Sequence, residues 1–260
     1  MKHFNLRLFL ILFLAGLIGA AAVLPYTVTL LQAGGVTFSA PLGTVLVIQY
    51  VETAILLLIA LLIGMRLSTS VGLGLPYLEP FLAGKKPPKH FWRVAGWAAL
   101  SGVILSIAIV LLDFGLFGTS IGESLARSAT LPFWQRALAT LYGGIDEEIL
   151  MRFFLMTIFA WLAVRFLKKK RKKSVVIGMW TAIVLTAVLF AVGHLPFSSP
   201  VGSLSLQVFL RALLLNGLAG VVFGWFYWKK GLEHAMIAHF AADIMLFLLL
   251  PLYASMVLVG

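Results

Sequence analysis

Long apolar runs separated by short polar stretches dominate the chain and predict membrane-spanning helices. A transmembrane helix needs about 20 predominantly apolar residues, and the runs reach or exceed this length. They lie at about 8–31, 41–65, 92–117, 131–167, 174–193, 203–228 and 235–259. We therefore predict an all-α, polytopic transmembrane bundle of about seven spans, with six to eight as the range.

Two of these runs leave a choice of interpretation. The first has a basic start, an apolar core and alanines at 20–22, which are also typical of a cleaved signal peptide. Because the run continues past the alanines, we expect a retained first helix. The run 131–167 is too long for one span, so we place a break at Gly143 and Gly144, with 131–142 as a short helix leading in.

The chain divides into two segments, of which only the second contains candidate functional residues. Residues 1–130 are predicted to form N-terminal membrane helices, about three spans, and residues 131–260 a second membrane domain of about four spans. All of the candidate chemistry lies after residue 140.

Composition agrees with a membrane protein. Hydrophobic residues make up 62% of the chain, charged residues 11%, and the mean hydropathy is +1.06. A soluble domain is nearer half apolar and about a quarter charged. The chain has no cysteine, which excludes disulfides, thiolate metal sites and a cysteine nucleophile.

The net charge of +11 does not indicate nucleic acid, because the positive charge is concentrated beside an apolar run. Seven of the twenty basic residues lie in the stretch 165–173. Basic loops alternate with uncharged or weakly charged loops, which places the N-terminus and this stretch in the cytoplasm of what we expect to be a prokaryotic cell. We predict contact with anionic lipid at Lys168, Lys169, Lys170, Arg171, Lys172 and Lys173.

Three consecutive carboxylates interrupt the fourth apolar run, where an ionisable group costs several kcal/mol and is a functional candidate. Glu148 and Arg152 share a helical face and can form an ion pair. Glu147 is rotated about 100° from Glu148 around the helix, so Arg152 cannot pair with it in the same way. Glu147 is therefore a candidate general base. Asp146, at the first turn after the predicted break, is expected to favour the helix start.

Histidines in two later spans are further candidates. His194 closes the fifth span, and Phe190 lies one turn earlier, where it can pack on the ring. His239 and Asp243 share a face of the last span, and an Asp one turn along can orient a histidine.

Structural readings of these groups remain open. His194 is also explained as an interfacial residue, the His–Asp pair as a contact between helices, and the Glu–Arg pair as a clamp. The coincidence of three such clusters favours function. A fourth polar cluster, Arg211 and Asn216 in the sixth span, is expected to face the other three. Glu52 and Asp113 lie in spans without another candidate group, and we predict that they are structural or lumenal.

Several hydrolytic motifs are absent from the sequence. His234 and His239 are five apart, which is not the HExxH spacing of a metalloprotease helix. No GxSxG stretch occurs either. The acid–base groups that remain are Glu and His, which suit the activation of a water molecule.

Three stretches resemble a known family. "EEILMR" fits EExxxR, "FAVGH" fits FxxxH and "HFAAD" fits Hxxx(N/D), in successive apolar segments. In this order they resemble the CPBP family of intramembrane endopeptidases, which includes the type II CAAX prenyl endopeptidases and bacteriocin-processing enzymes. The resemblance covers about residues 135 to 250.

The resemblance implies peptide-bond hydrolysis in a membrane cavity. Glu147 would activate water with the assistance of His194, and Glu148 with Arg152 would form a supporting pair. His239 and the residue at 243 would stabilise the oxyanion.

One position departs from the family pattern. Related members often have Asn where this chain has Asp243, and an ionised Asp can only accept a hydrogen bond. Asp243 is therefore either protonated, or it orients His239 while His239 alone donates.

The resemblance leaves metal use open. Glu147, His194 and His239 are a ligand set that suits catalytic zinc, although the family has also been described as metal-independent. We expect no obligatory metal, with zinc as the alternative.

The expected substrate is a membrane-associated peptide, either a prenylated CAAX-type tail or a leader-type segment. Two other functions are considered: a proton-coupled transporter, which should show internal repeats that the sequence lacks, and a non-cleaving immunity or scaffold member of the family. The predicted topology places Glu147 and His194 toward the outer ends of their spans but His239 toward the inner end. A single cavity requires all three to meet.

Overall fold

A computed structural model describes residues 4–33, 35–118, 130–166, 172–195 and 205–253, which are helical with short connections and contain no strand. The lipid contacts predicted for the polybasic stretch fall largely on residues 168–172, whose side chains lie outside the described residues.

Eight helices make up the described parts of the chain. They are α1 (Leu6–Ala33), α2 (Leu42–Leu67), α3 (Leu78–Leu82), α4 (His90–Phe117), α5 (Phe133–Phe166), α6 (Lys172–Gly193), α7 (Leu206–Lys230) and α8 (Leu232–Tyr253). All except the short α3 are long and apolar enough to cross a membrane, which gives seven candidate spans. The prediction of an all-α, seven-span bundle is confirmed.

Helix α5 is continuous, and the break predicted at Gly143 and Gly144 is wrong. The helix is α-helical over Phe133–Leu141, has the wider π-type hydrogen bonding over Tyr142–Met156, and returns to α-helix over Thr157–Phe166. The two glycines lie inside this helix, where the absence of side chains allows α8 to approach. They serve packing between helices, as small residues commonly do in membranes.

Small residues bring the other helices together in the same way. A side chain at Gly102 of α4 would overlap the carbonyl of Ala238 in α8, and the Ser106 hydroxyl donates to the Ala242 carbonyl at 3.1 Å. Close approach of this kind is the usual basis of helix association in lipid. Glycines with no room for a side chain against a neighbouring helix also include Gly19, Gly64 and Gly220.

A buried hydrogen bond joins α5 to α7, the helix that backs the candidate residues. The hydroxyl of Thr157 and that of Tyr227 lie 2.8 Å apart, and both side chains are buried. Helices from both predicted segments surround α5, since α1 packs on it through Gly19 and α2 through Gly64. Residues 1–130 therefore help to enclose the centre of the bundle.

An ion pair clamps α4 to α7 and changes the interpretation of Asp113. The guanidinium of Arg211 contacts both carboxylate oxygens of Asp113, with Nε donating to Oδ1 at 2.6 Å. Asp113 is fully buried, and Arg211 is one-fifth exposed. The structural role predicted for Asp113 agrees with its position between two spans, and its pairing with Arg211 was not predicted.

The loop before α4 is anchored to the start of α8. The Glu233 carboxylate accepts hydrogen bonds from the backbone N–H groups of Tyr77 and Leu78, at 2.9 and 2.8 Å. The Leu232 N–H donates to the Gly74 carbonyl at 3.1 Å. These bonds fix the first turn of the helix that carries His239.

Candidate active site

Glu148 is the centre of a buried polar chain. Its Oε1 accepts a hydrogen bond from Nδ1 of His239 at 2.7 Å and lies 3.0 Å from a terminal nitrogen of Arg152. Glu148 and Arg152 are essentially without solvent contact. The ion pair predicted from the i,i+4 spacing is present, and the contact with His239 was not predicted.

The contact with Glu148 determines how His239 presents its ring. A carboxylate only accepts, so Nδ1 carries the proton and donates, which leaves Nε2 directed away from Glu148. Nε2 lies 3.6 Å from Oε2 of Glu147 and 3.7 Å from Oδ1 of Asp243. The carboxylate that orients His239 is therefore Glu148, and Asp243 faces the same ring nitrogen as Glu147.

Glu147 lies between two imidazoles. Its Oε2 faces His239, and its Oε1 lies 4.0 Å from Nε2 of His194. Neither separation is a direct hydrogen bond, and groups that converge at such distances are commonly bridged by water. The Glu147 side chain is 21% exposed, in contrast to the fully buried Glu148.

His194 follows the last residue of α6 and is oriented by its own helix. Its Nδ1 lies 2.8 Å from the carbonyl of Phe190, which can only accept, so Nδ1 donates and Nε2 faces Glu147. The Phe190 ring packs on the imidazole with centroids 4.5 Å apart, and this predicted contact is confirmed. The three motifs thus meet at Glu147, although the predicted topology separated His239 from the other two.

Aromatic rings enclose the buried cation. The guanidinium of Arg152 lies 4.7 Å from the centroid of Phe190 and 5.3 Å from that of Phe223. The Phe223 ring also stacks on His239, with centroids 4.4 Å apart and an interplanar angle of 18°. Phe223 was not predicted, because an aromatic residue in an apolar span carries no distinguishing pattern.

Gly143 allows α8 to bring its polar groups against α5. A side chain at this position would overlap Oδ2 of Asp243 and would lie 3.2 Å from Nε2 of His239. The glycine is therefore part of the wall of the site, next to the ring nitrogen that faces Glu147.

Asp146 does not have the role predicted for it. It lies inside the continuous helix α5, not at a helix start, and it is fully buried. Its carboxylate packs against Gly19 of α1, and neither oxygen has a hydrogen-bond partner among the described residues. The mistake follows from the break predicted at the glycines.

The polar residues of α7 lie elsewhere. Arg211 pairs with Asp113, and the amide nitrogen of Asn216 donates to the Ala212 carbonyl of its own helix at 3.3 Å. Neither makes a described contact with the carboxylates of the site. The expectation that this cluster faces the others is wrong.

The same donor atoms have the chemistry of a zinc site but not its arrangement. Glu147, His194 and His239 direct one carboxylate and two imidazole Nε2 atoms toward one another, which is a chemistry that zinc accepts. Among the residues that the structure describes, however, no three His, Cys, Asp or Glu side chains are arranged to hold a metal ion.

Comparison with known proteins identifies one match. Residues 129–245 match the model of the family described as Type II CAAX prenyl endopeptidase Rce1-like. This segment contains all three motifs and agrees with the resemblance to the CPBP family. Comparisons with curated proteins and with solved structures found no match.

Proposed function

We propose that the chain is a member of the Rce1-like family, whose model matches residues 129–245, and that Glu147 activates a water molecule to cleave a peptide bond within the membrane. The family match supports a CAAX-type intramembrane endopeptidase in general class, and the seven candidate spans make the chain an integral multi-pass membrane protein. Neither the transporter nor the non-cleaving alternative is favoured by the family match.

The observation that carries the mechanism is the convergence of two imidazole Nε2 atoms on one accessible carboxylate. A water molecule beside Glu147 can give its proton to the carboxylate or to Nε2 of His194. The hydroxide then adds to the carbonyl carbon of the substrate. When the carbon–nitrogen bond breaks, the same groups return the proton to the leaving amine.

We assign stabilisation of the oxyanion to His239. Because His239 carries a proton on Nδ1 and donates it to Glu148, the ring can also donate from Nε2 only as an imidazolium. The carboxylates of Glu148 and Asp243 compensate that positive charge, and Asp243 serves as an acceptor rather than as the second donor. A donor directed at an oxyanion typically contributes about 3–4 kcal/mol.

The test compares wild type with Glu147→Gln and His194→Ala on membrane-tethered peptides in lipid vesicles. We expect the Glu147→Gln variant to cleave at least about 100-fold more slowly, and His194→Ala to lose a smaller factor. Matched controls are Glu79→Gln in α3 and His90→Ala at the start of α4, which change the same residue types outside the site. Undiminished cleavage by the Glu147→Gln variant would exclude this mechanism.

We also propose that no metal is obligatory. Carboxylate and imidazole groups suffice for this chemistry, and zinc held by Glu147, His194 and His239 is the alternative. Cleavage should persist after treatment with a strong chelator and dialysis. Loss of cleavage with the chelator, and its return with added zinc, would replace this proposal by the alternative.

The proposed substrates are peptides held at the membrane, either prenylated CAAX-type tails or leader-type segments. A panel that pairs each peptide with and without its lipid separates the two classes. Cleavage that depends on the prenyl group supports the first class, and cleavage of unlipidated leader segments supports the second.

We propose that the N-terminus and the polybasic stretch lie in the cytoplasm, next to anionic lipid. Because the chain has no cysteine, a single Lys173→Cys variant reports the side directly. We expect labelling by a membrane-impermeant maleimide only in inverted vesicles. Labelling in intact cells would reverse the orientation.

A further inference from the structure

Glu52 lies near the middle of a membrane span and is exposed. At a rise of 1.5 Å per residue it is about 15 Å from the start of α2 at Leu42 and about 22 Å from the end at Leu67. The hydrocarbon core of a bilayer is about 30 Å thick, so neither end of the helix brings this carboxyl group to water. Among the described residues, no hydrogen bond or ion pair involves the Glu52 side chain.

This position is costly unless something covers it. An ionisable side chain at the centre of a bilayer costs several kcal/mol and is normally directed into a protein interior or toward a partner. The other described acidic residues of the spans, by contrast, are buried or half-buried. Helix α2 is also the least buried of the seven spans: 17% of its apolar stretch is buried, against 28–44% for the other six.

Glu52 belongs to a continuous exposed line along α2. Spacings of four and three residues alternate along this line, which is the period of left-handed helix packing in coiled coils and in many membrane bundles. The opposite face of α2, with Leu57, Ala60 and Gly64, is buried against the bundle. The exposed line consists of Ile48, Glu52, Ile55, Ile59 and Leu62, hereafter the α2 seam.

We propose that the α2 seam packs against the α2 seam of a second copy of the chain, with the two Glu52 side chains hydrogen-bonded to each other. Two copies inserted in the same orientation are related by a two-fold axis along the membrane normal, so each Glu52 meets its equivalent at the same depth. A protonated carboxyl both donates and accepts, and is therefore complementary to itself. Gln49, exposed one turn earlier, adds an amide that can donate across the contact.

A single polar residue in an otherwise apolar seam favours this occupant. Such a residue fixes the register and the number of helices in coiled coils, because any other alignment leaves it unpaired. A cationic segment of another protein is a different occupant, and the tests below distinguish it.

Cross-linking gives the first test, because the chain contains no cysteine. Ile48→Cys and Ile55→Cys place single thiols on the α2 seam, while Ile104→Cys on α4 and Val184→Cys on α6 are controls of similar exposure. After oxidation in native membranes, we expect a disulfide-linked species of twice the chain mass from the seam variants only. Absence of this species, or equal amounts from the controls, overturns the proposal. So does a seam cross-link to a different protein.

The second test is specific to the carboxyl group. Energy transfer between labelled chains, diluted stepwise in lipid vesicles, measures the dissociation constant of the pair. We expect Glu52→Leu to raise it about tenfold, while Glu52→Gln, which keeps a donor and an acceptor, stays within about threefold of wild type. Equal association of wild type and the Glu52→Leu variant overturns the proposal. This experiment measures association and not cleavage, so a negative result would leave the proposed cleavage mechanism unaffected.

Discussion

Two ion pairs between a guanidinium and a buried carboxylate serve different purposes in the bundle. The pair between Arg211 and Asp113 is closed, since two guanidinium nitrogens contact both carboxylate oxygens and join α4 to α7. The pair between Arg152 and Glu148 is open, because one carboxylate oxygen faces both the guanidinium and His239. When both carboxylate oxygens contact the guanidinium, the pair only joins two helices. When the carboxylate also accepts a hydrogen bond from a third residue, here His239, it can orient that residue.

Removing the cation from the open pair should have the largest effect. Arg152→Met leaves Glu148 buried without its counter-ion, and we expect a loss of about 3–5 kcal/mol in the free energy of unfolding together with loss of cleavage. Reversible unfolding in mixed micelles measures the first effect. Arg211→Met is the matched control, which should also destabilise but retain cleavage per folded molecule. Wild-type stability of the Arg152→Met variant would contradict the buried ion pair.

Replacing whole pairs sharpens the comparison. Asp113→Leu combined with Arg211→Met should restore stability to within about 1 kcal/mol of wild type and preserve cleavage, because apolar residues can replace a buried pair. Glu148→Leu combined with Arg152→Met should regain stability but cleave at least about 100-fold more slowly, since His239 loses the acceptor of its Nδ1 proton. Equal cleavage by the two double variants would show that both pairs are merely structural.

A smaller effect is expected from closing the space beside the site. Gly143→Ala places a methyl group against Asp243 and His239, and overpacking of this kind costs about 1–3 kcal/mol. The rate of cleavage per folded molecule should also fall, because the displaced side chains of Asp243 and His239 face Glu147. Gly217→Ala is the control, since a side chain there meets open space, and it should be neutral or stabilising by up to about 1 kcal/mol.

The smallest effect concerns the aromatic support of the open pair. Phe223→Leu removes the ring stacked on His239, and we expect a loss of about 1 kcal/mol in stability with a several-fold reduction in cleavage. Phe209→Leu, at an exposed position of the same helix, should change neither quantity. Equal stability and equal cleavage of the two variants would show that Phe223 does not support the site.

The length and composition of the apolar runs are sufficient to predict the fold, because lipid imposes both on every span. The spacing of four residues is sufficient for contacts within one helix, such as Glu148 with Arg152 and Phe190 with His194. Spacing does not encode contacts between helices. The hydrogen bond from His239 to Glu148 and the partner of Asp113 were therefore missed.

Glycine was the main source of error. A Gly-Gly pair in an apolar run predicts a break when only local conformation is considered. In a membrane the same pair also permits close contact between helices, and at Gly143 and Gly144 the packing role prevails. The misplacement of Asp146 followed directly from this error.

The π-type hydrogen bonding of Tyr142–Met156 makes the site sensitive to chain length as well as to residue identity. Each such bond encloses one residue more than an α-helical bond does, and these segments are frequent at functional sites. Deleting a single residue here, for example Leu150, would allow the backbone to tighten into α-helix. The two glutamates before the deletion would then rotate relative to Arg152 after it, without any change in the chemistry of the side chains. Among homologous chains, single-residue insertions and deletions should therefore be rarer in this stretch than in the α-helical ends of α5.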